Sequence, residues 1–552
     1  MKIGLNAASP NPYTLSQMAD RVLCGSAISL PKPPYVPKGA IGPNGWPVGA
    51  DSYSQNVFLG DTPTDYVFIV LKGAVSSVDL NQGRDNGGHV PIVPKPGTGL
   101  GLASAPFRAM GADYFIANTT DPGETRWAIV AVADLERWKA DPYAWSGAYV
   151  DRVKLFAVLR AMDFMQTNQN QTAFYPDGDM SRAAPLAGPM PLSQMVKLSL
   201  ETKVGLWLPF PVRASDDTAR KILKACEPLR QAGIPVYLEN GNEIWNTGNE
   251  LFKKNHDYAV AQDQALWWKA ATDKYTAALT AYTATKTGTA PTKPPPADGN
   301  RWYGYRATQL SKLAQSMGWV SRRDFHMVIG CFTNAPEQSV AVWEGVALAG
   351  GTDADFSKWS ISSYIHGDVG ANFDKTIAMI KAGDAGVEAA IEEILHGASS
   401  TPDWAARVIL PKHKAIANTH GLGLVVYEGQ MSFYTIPTFA DSELVKRATG
   451  LVKQQVVDFF AKIMRHPRAK EIFTVMFQVC ADAGVELFCI FNDQTKWGEQ
   501  GLWGMVGTPG WDAVLAWIAA HPDVAAVQKD DLPTIIGEME ALVARMKVVV
   551  AG

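Results

Sequence analysis

From about residue 143 to residue 520, short apolar runs alternate with stretches whose apolar positions recur at helical spacing. The alternation is typical of repeated β/α units and predicts seven strands, at 157–160, 204–209, 236–239, 326–330, 359–364, 423–428 and 487–492. Amphipathic stretches predict flanking helices at 218–232, 405–419 and 444–464. An eighth strand at 2–6, followed by a helical stretch near 15–24, completes a predicted α/β fold of the (β/α)₈ TIM barrel type.

Residues 46–140 have a different texture, with short β runs at 65–71, 113–117 and 127–133 that Gly, Pro and Asn separate. This pattern predicts a small antiparallel β domain inserted into a barrel made of residues 1–45 and 141–520. A second insertion, 272–300, joins a Thr/Ala-rich helical stretch to the Pro-rich 291–296 and predicts a solvent-exposed loop. Residues 521–552 are predicted as a C-terminal helical extension outside the barrel.

Composition narrows the choice of partner. Charged residues make up 19% of the chain, below the ~25% that is usual, so neutral polar and aromatic surface must replace them. Such a surface suits uncharged, ring-shaped ligands. The 50 Lys and Arg against 54 Asp and Glu form no long basic run, so we predict no nucleic-acid partner. The five cysteines are scattered without a CxxC pair, which predicts buried free thiols rather than disulfides or a zinc site.

No apolar stretch approaches the ~18–20 residues of a membrane span, so we predict no membrane partner. Residues 1–25 lack the charged, apolar and small-residue succession of a signal peptide. We therefore expect a chain that is not visibly secreted. Three alternatives fit this expectation: a cytoplasmic protein, a truncated form of a secreted protein, and a virion-associated enzyme. The sequence indicates no oligomeric state.

Two strand ends carry candidate chemistry, since the active site of a parallel barrel lies at the C-terminal ends of its strands. In residues 234–246 an apolar strand is followed by the adjacent pair Asn242 and Glu243. The amide of Asn242 can hold a substrate hydroxyl while the acid of Glu243 donates a proton to a leaving oxygen. The alternative is a polar turn with Asn246 or Thr247 near a helix N-cap. Residues 421–430 deliver Glu428 at the end of a second apolar run. Its alternative role is a salt bridge with a neighbour.

An Asn-Glu pair after the fourth strand and a Glu after the seventh resemble glycoside hydrolase clan A, whose members share the barrel and a retaining mechanism. The blocks at 158–168 and 236–246, with Gly45-Trp46-Pro47 and residues 303–318, are similar to a little-characterised cellulase-like group. The resemblance implies that Glu243 is the acid/base, that Asn242 contacts the sugar 2-hydroxyl and that Glu428 is the nucleophile. It implies cleavage of a β-linked polysaccharide or oligosaccharide without a metal or organic cofactor, by carboxyls ~5–6 Å apart. The long loop insertions around the barrel mouth favour a cleft and endo cleavage; a pocket closed at one end is the alternative.

Supporting roles follow from the same resemblance. Arg160 ends the second strand, where the clan often has an Arg that hydrogen-bonds the nucleophile; an ion pair with Asp163 is the alternative. Tyr364 and His366 end the sixth strand, where a Tyr or His often lies near the nucleophile. His366 and Asp368 lack a third ligand, so no metal site is predicted. Trp503, after the eighth strand, is the expected aromatic floor of the sugar site; with 17 tryptophans in the chain, packing in the core is the alternative.

The chain departs from the group in two loops. Residues 209–213 carry no His after the third strand, and Asn240-Gly241 replace a usual Tyr-Ser before Asn242, so both changes concern specificity more than mechanism. Two rival functions remain open at this point. One is a noncatalytic carbohydrate-binding or tail-associated structural protein, although such a protein has no need for two facing acids. The other is a transglycosylase that uses the same residues.

Overall fold

Eight parallel strands close into a barrel, which confirms the predicted (β/α)₈ fold class. The strands are β1 (Lys2–Asn6), β2 (Val158–Arg160), β3 (Gly205–Phe210), β4 (Val236–Asn240), β5 (Phe325–Gly330), β6 (Lys358–Ser362), β7 (Gly423–Gly429) and β8 (Val485–Ile490). They neighbour one another in chain order, and β8 pairs with β1 to complete the ring, with Ile3 opposite Phe488. The computed structural model describes residues 1–8, 18, 28, 39–42, 46–55, 57, 59, 64–81, 89–92, 95–96, 102–109, 114–169, 189–248, 250–369, 372–432, 451–493, 502 and 504–522.

The strand ends differ from the predicted ones by a few residues. β6 ends at Ser362, so Tyr364 and His366 lie in the loop beyond it rather than in the strand. β8 ends at Ile490, which places Asn492 in the following turn. β3, β4 and β7 instead end one residue later than predicted, at Phe210, Asn240 and Gly429. Hydrophobic pattern alone therefore locates the strand ends at the barrel mouth only to within about two residues.

Helices follow the barrel strands along the chain. Their bounds are Leu135–Ala140, Gly147–Val153, Met162–Met165, Leu192–Thr202, Asp216–Ala225, Glu227–Gln231, Glu250–Asp263, Lys269–Thr285, Gly299–Ser316, Ser339–Leu348, Phe373–Lys381, Asp384–His396, Pro402–Trp404, Leu410–Thr419, Lys453–Arg465, Ala469–Asp482 and Pro509–Ala520. Single π-helical turns occupy Gln264–Trp268 and Ala405–Ile409. Short 3₁₀ turns occupy Val132–Asp134, Pro336–Gln338 and Asp353–Asp355.

One predicted helix is divided. The structure breaks the predicted 218–232 at Cys226, because Pro228 near the start of the second piece has no backbone N–H to continue the helical ladder. The predicted helix near 15–24 lies outside the described residues except for Met18, and so do residues 444–450 and the predicted extension beyond residue 522.

Between β1 and β2 the chain forms small antiparallel sheets, as the pattern predicts. Their strands are Ala40–Ile41, Pro47–Val48, Ser52–Gln55, Thr64–Lys72, Val75–Asn81, His89–Ile92, Lys95–Pro96, Leu102–Ala103, Phe107–Ala109, Tyr114–Thr119 and Arg126–Ala131. Antiparallel pairing already begins with Ala40–Ile41 against Pro47–Val48, ahead of the predicted boundary at residue 46. The division of the chain into separate domains stays a prediction.

The longest inserted strand, Thr64–Lys72, is covered on both faces. Tyr66, Phe68 and Val70 belong to a cluster around Trp127, whereas Val67 and Ile69 belong to another around Trp138. Successive side chains of a strand point to opposite faces, so burial of both faces explains an unbroken apolar run instead of alternation.

The second insertion is exposed, as predicted. The helix Lys269–Thr285 buries none of its side chains, and residues 286–298 form neither helix nor strand. The next helix, Gly299–Ser316, begins where the Asp298 side chain accepts a hydrogen bond from the Asn300 amide.

Four of the five cysteines fall in the described residues, and all four are buried free thiols: Cys226, Cys331, Cys480 and Cys489. Burial raises the pKa of each to about 12, so they remain neutral thiols. Throughout the described part of the chain, no helix combines the length and apolar character needed to cross a bilayer.

Candidate active site

A cavity of about 720 Å³ opens at the C-terminal ends of the barrel strands. Of the predicted site residues, it is lined by Asn242, Glu243, Tyr364, His366 and Glu428. Arg160 is fully buried and reaches Glu428 and Asn242 from within the barrel. Trp503 lies outside the described residues. Residues far apart in sequence thus meet at the mouth where a barrel places its chemistry.

Glu243 sits on a tight turn directly after β4. Its φ of 46° is left-handed, a conformation that a residue with a Cβ adopts at a cost of about 1–2 kcal/mol. Its carboxyl accepts hydrogen bonds from the Tyr427 hydroxyl (2.6 Å, at Oε1) and the Asn246 amide (2.7 Å, at Oε2). Such strain persists where surrounding contacts impose it, and it is concentrated at functional sites.

Gly241, two residues before Glu243, allows the chain to make this turn. A substitution of Gly241 gives a first prediction. Its φ is 76°, and an added Cβ would lie 3.0 Å from the Ile244 side chain. Gly241→Ala should therefore lower the free energy of unfolding by roughly 1–3 kcal/mol. Gly233→Ala is the control, because Gly233 has a φ of 68° but nothing within 4 Å of an added Cβ. Thermal unfolding should show the larger loss for Gly241→Ala, and equal losses would contradict the Ile244 contact.

Glu428 is almost completely buried, with 4% of its surface exposed. Oε1 accepts a hydrogen bond from the Tyr364 hydroxyl at 2.9 Å, and Oε2 accepts one from Arg160 Nη1 at 3.3 Å. These two donors favour the ionised form, as the resemblance implies. Burial and the negative charge of Glu243 nevertheless outweigh them, so that the pKa of Glu428 is raised.

Arg160 uses every N–H of its guanidinium, which has five. Nε donates to Glu239 Oε2 and Nη2 to both Glu239 oxygens, at 2.9–3.1 Å. Nη2 also donates to Asn242 Oδ1 at 2.7 Å, while Nη1 donates to Asn6 Oδ1 at 3.1 Å and to Glu428. Of its two predicted partners, Glu428 thus accepts a hydrogen bond. The charge of Arg160 lowers the pKa of Asp163, but the effect of burial is larger and raises that pKa to about 6.

Asn242 connects Arg160 to the cavity. Its Oδ1 accepts from the guanidinium, and its Nδ2 donates to Asn168 Oδ1 at 3.3 Å. Because a guanidinium can only donate hydrogen bonds, the amide atom that contacts it must be the oxygen, and the other amide atom is therefore the NH₂ group. An amide NH₂ has a second N–H, which is the group that can reach a ligand in the cavity.

His366 also lines the cavity, and its Nδ1 contacts the Gly367 carbonyl. Burial is the main cause that lowers its pKa, so the ring is neutral at physiological pH. A proton on Nδ1, which this carbonyl requires, makes Nε2 a hydrogen-bond acceptor. Within the described residues, no group of three or more His, Cys, Asp or Glu side chains is arranged to hold a metal ion.

Sequence reasoning missed two residues of this site. The sequence pattern predicts Glu239 only as part of a strand, yet its buried carboxylate is the main partner of Arg160 and also accepts a hydrogen bond from the Trp207 indole at 2.8 Å. Tyr427 precedes Glu428 and binds Glu243, while its ring lies 5.0 Å from the Arg160 guanidinium. Burial raises the pKa of Tyr427 well above its usual value, so it remains a hydroxyl donor.

No protein-family model matches the chain, and no curated protein matches it either. Solved structures do show similarity. Two modules, CBM22-1 and GH10, of a Clostridium thermocellum endo-1,4-β-D-xylanase align over 92% of this chain and 96% of theirs, at 12% identity and a TM-score of 0.30. An α-L-arabinofuranosidase from Thermotoga maritima aligns over 68% of this chain and 64% of its own, at 11% identity and a TM-score of 0.34.

A modular endo-β-1,4-mannanase from Cellulomonas fimi aligns over 66% of this chain and 63% of its own, at 10% identity and a TM-score of 0.30. By their names, all three proteins act on glycosidic bonds. At these TM-scores the similarity carries no conclusion about this chain, and the barrel is established by its own strand pairing.

Proposed function

We propose that the protein is a retaining glycoside hydrolase that cleaves β-glycosidic bonds of a polysaccharide or oligosaccharide by double displacement. The observation that carries the proposal is one cavity lined by two carboxyl groups, Glu243 and Glu428, each fixed by a tyrosine hydroxyl. Retaining glycosidases need such a pair, with one group acting as nucleophile and the other as acid and then base. Their expected separation of ~5–5.5 Å stays a prediction.

Glu428 is the proposed nucleophile. Tyr364 and Arg160 hold its two oxygens separately, so the carboxylate has a fixed orientation towards a bound sugar. In the first step a Glu428 oxygen attacks the anomeric carbon, and the bond to the leaving oxygen breaks. The product is a covalent glycosyl-enzyme and a free alcohol end of the chain.

Glu243 is the proposed acid/base. It is half-buried at the cavity wall and is held by Tyr427 and Asn246. In the first step it donates its proton to the leaving oxygen, and in the second it removes a proton from the water that attacks the glycosyl-enzyme. Two displacements on one carbon retain its configuration.

Asn242 and the cavity wall are proposed to hold the substrate. The second N–H of Asn242 is directed at the sugar 2-hydroxyl, and the bond from Arg160 keeps the amide in that orientation. We propose endo cleavage, because a cavity of about 720 Å³ whose lining includes many residues besides the two acids, Phe252 and Trp404 among them, has room for more than one sugar ring. Aromatic and neutral polar walls suit sugar rings.

The test is a screen of β-linked polysaccharides and aryl β-glycosides, with the anomeric configuration of the first-formed product followed by NMR. We expect a product of retained configuration from the wild type and none from Glu428→Gln. Chain-length analysis of the products separates hydrolysis from transfer to a second sugar. An inverted product would exclude the double displacement, and turnover by neither protein on any substrate would favour a noncatalytic binding protein.

The raised pKa of Glu428 predicts the shape of the pH profile. With an aryl glycoside whose leaving group needs no proton from Glu243, the first step requires only that Glu428 is ionised. Its kcat/KM should therefore rise as the pH rises through that pKa, with a midpoint above the ~4.3 of an ordinary glutamate. Glu243→Gln removes the neighbouring charge and keeps the shape. With an aryl glycoside whose leaving group needs no proton, it should move the acid limb to lower pH.

Glu250→Gln is the control for this experiment, because Glu250 is exposed and lies on the helix that follows the same strand. It should leave the acid limb in place. An acid limb that stays put in Glu243→Gln, or moves to higher pH, would contradict the electrostatic interaction between the two acids.

A further inference from the structure

Glu239 is a buried carboxylate to which the proposed reaction gives no part. It lies on β4, is 2% exposed and points at the Arg160 guanidinium, with which it forms a bidentate pair at 2.9–3.1 Å. The Trp207 indole N–H donates to the same carboxylate at 2.8 Å. A buried charge is costly unless it is paired, so this arrangement is kept against an appreciable desolvation penalty.

Arg160 stands between two carboxylates. Glu239 accepts from Nε and Nη2 in the fork geometry that holds a guanidinium most firmly. Glu428 on the opposite side accepts one longer bond of 3.3 Å from Nη1. The rings of Trp207 and Tyr427 lie 5.4 Å and 5.0 Å from the guanidinium carbon. The cation is thus oriented by Glu239 and shared with Glu428.

We propose that Glu239 is a positioning residue: its pair with Arg160 directs one N–H to the nucleophile Glu428 and another to Asn242, and it withholds part of the arginine's positive charge from Glu428. The inference rests on the proposed function, since it assigns Glu428 and Asn242 the parts given above. Glu239 itself does not line the cavity that would hold the substrate.

The charge count explains why this sharing matters. Arg160 donates hydrogen bonds to two buried carboxyls, Glu239 and Glu428, and its charge also acts on a third, Asp163. With these carboxyls ionised, the cluster has a net negative charge even without Glu243. Within the described residues, the titratable groups that interact with the charge of Glu428 come from five strands or their ends: Arg160, Glu239, Glu243, Tyr364, Tyr427 and Cys489. Tyr427 remains a neutral hydroxyl, because its pKa is raised well above the usual value. Arg160 and Tyr364 lower the pKa of Glu428, whereas Glu239 and Glu243 raise it, and Cys489 remains a neutral thiol.

Glu239→Gln tests the proposal, because it keeps the shape and removes the charge. The positive charge of Arg160 is then no longer shared with a second carboxylate, so the pKa of Glu428 should fall. With an activated aryl glycoside, the acid limb of kcat/KM should therefore move to lower pH by about one unit. The same shift should be visible without turnover, by ¹³C NMR titration of glutamate δ-carbons, with the Glu428 signal assigned by its loss in Glu428→Gln. An unshifted or upward-shifted titration would overturn the proposal.

Glu239→Asp gives a second test that keeps the charge. The shorter side chain cannot reach both Nε and Nη2, so the guanidinium should turn and kcat should fall about 10–100-fold, with KM within about threefold. Unchanged kcat in a folded Glu239→Asp protein would also overturn the positioning role.

Asp263→Asn is the matched control. Asp263 is the buried partner of a second buried arginine, Arg301, at 2.7 Å, and neither residue lines the cavity. The variant should lose stability without shifting the acid limb or the Glu428 titration. A downward shift of the titration in Glu239→Gln, in a protein whose wild type cleaves no glycoside, would uphold the charge sharing and reject the proposed function. A retaining wild type with no shift would do the reverse.

Discussion

Glu428→Gln is expected to lower turnover about 10⁴-fold or more with every substrate, whereas Glu243→Ala should spare the first step with activated ones. A glutamine keeps the size of the side chain and its contact with Tyr364, but its amide cannot form the ester to the sugar. Loss of Glu243 removes proton donation, which a good aryl leaving group does not need.

The two variants are therefore distinguished by what accumulates. Glu243→Ala should form a glycosyl-enzyme on Glu428 that water attacks slowly, because no base remains to activate the water. Azide needs no such base and should restore turnover, giving a glycosyl azide of retained configuration. Mass spectrometry of the intact protein should show the added sugar in Glu243→Ala and not in Glu428→Gln.

Glu486→Gln is the control for this pair, because Glu486 lies on β8 with an exposed side chain bound to Lys358 and does not line the cavity. Its activity should equal that of the wild type. Azide rescue of Glu428→Gln with a product of retained configuration, together with rescue of Glu243→Ala with an inverted one, would exchange the assigned roles.

The places of Glu243 and Glu428 could be predicted from the sequence for a physical reason. In a parallel barrel the strands are buried on both faces and read as unbroken apolar runs, so the first polar residues after a run mark the mouth. Residues 236–246 and 421–430 have this form, and both acids line one cavity.

Glu239 shows why the rest of the site was missed. It lies inside such a run, where both faces are buried and no alternation shows which side chains point inwards. Its partner follows only from the strand register, in which Arg160 pairs with Trp207 and Trp207 pairs with Tyr237. Tyr237 comes two residues before Glu239 on the same strand, so the two side chains lie on the same face. A charged residue inside an apolar strand was the available signal, because such a residue must find a partner.

Tyr427 illustrates a different difficulty. It neighbours Glu428 in the strand, but its hydroxyl binds Glu243, which is 184 positions away in sequence. Sequence pattern assigns such a tyrosine to the core, and its ring is indeed 1% exposed. Only the closed barrel brings its hydroxyl to the acid that follows β4.

Arg160→Met is expected to be the most damaging change for stability. It leaves Glu239 and Glu428 buried with no cation between them, and breaking a buried pair in this way costs about 3–5 kcal/mol. The loss should depend on pH, because without Arg160 the pKa values of both carboxyls rise further above those of the unfolded chain. Both groups are then neutral in the folded protein at low pH and must ionise as the pH rises.

The sign of that dependence can be measured. Relative to the wild type, Arg160→Met should be least impaired below the ~4.3 at which unfolded glutamates titrate, and its melting temperature should fall further behind as the pH rises through the folded values. Arg301→Met is the control, since Arg301 is 2% exposed and pairs with the buried Asp263 outside the cavity. It should also melt earlier, but it should retain the wild-type activity and acid limb. A melting temperature for Arg160→Met that matches the wild type at pH 8 would mean that the two carboxylates do not depend on Arg160, and the sharing of one cation between them would have to be abandoned.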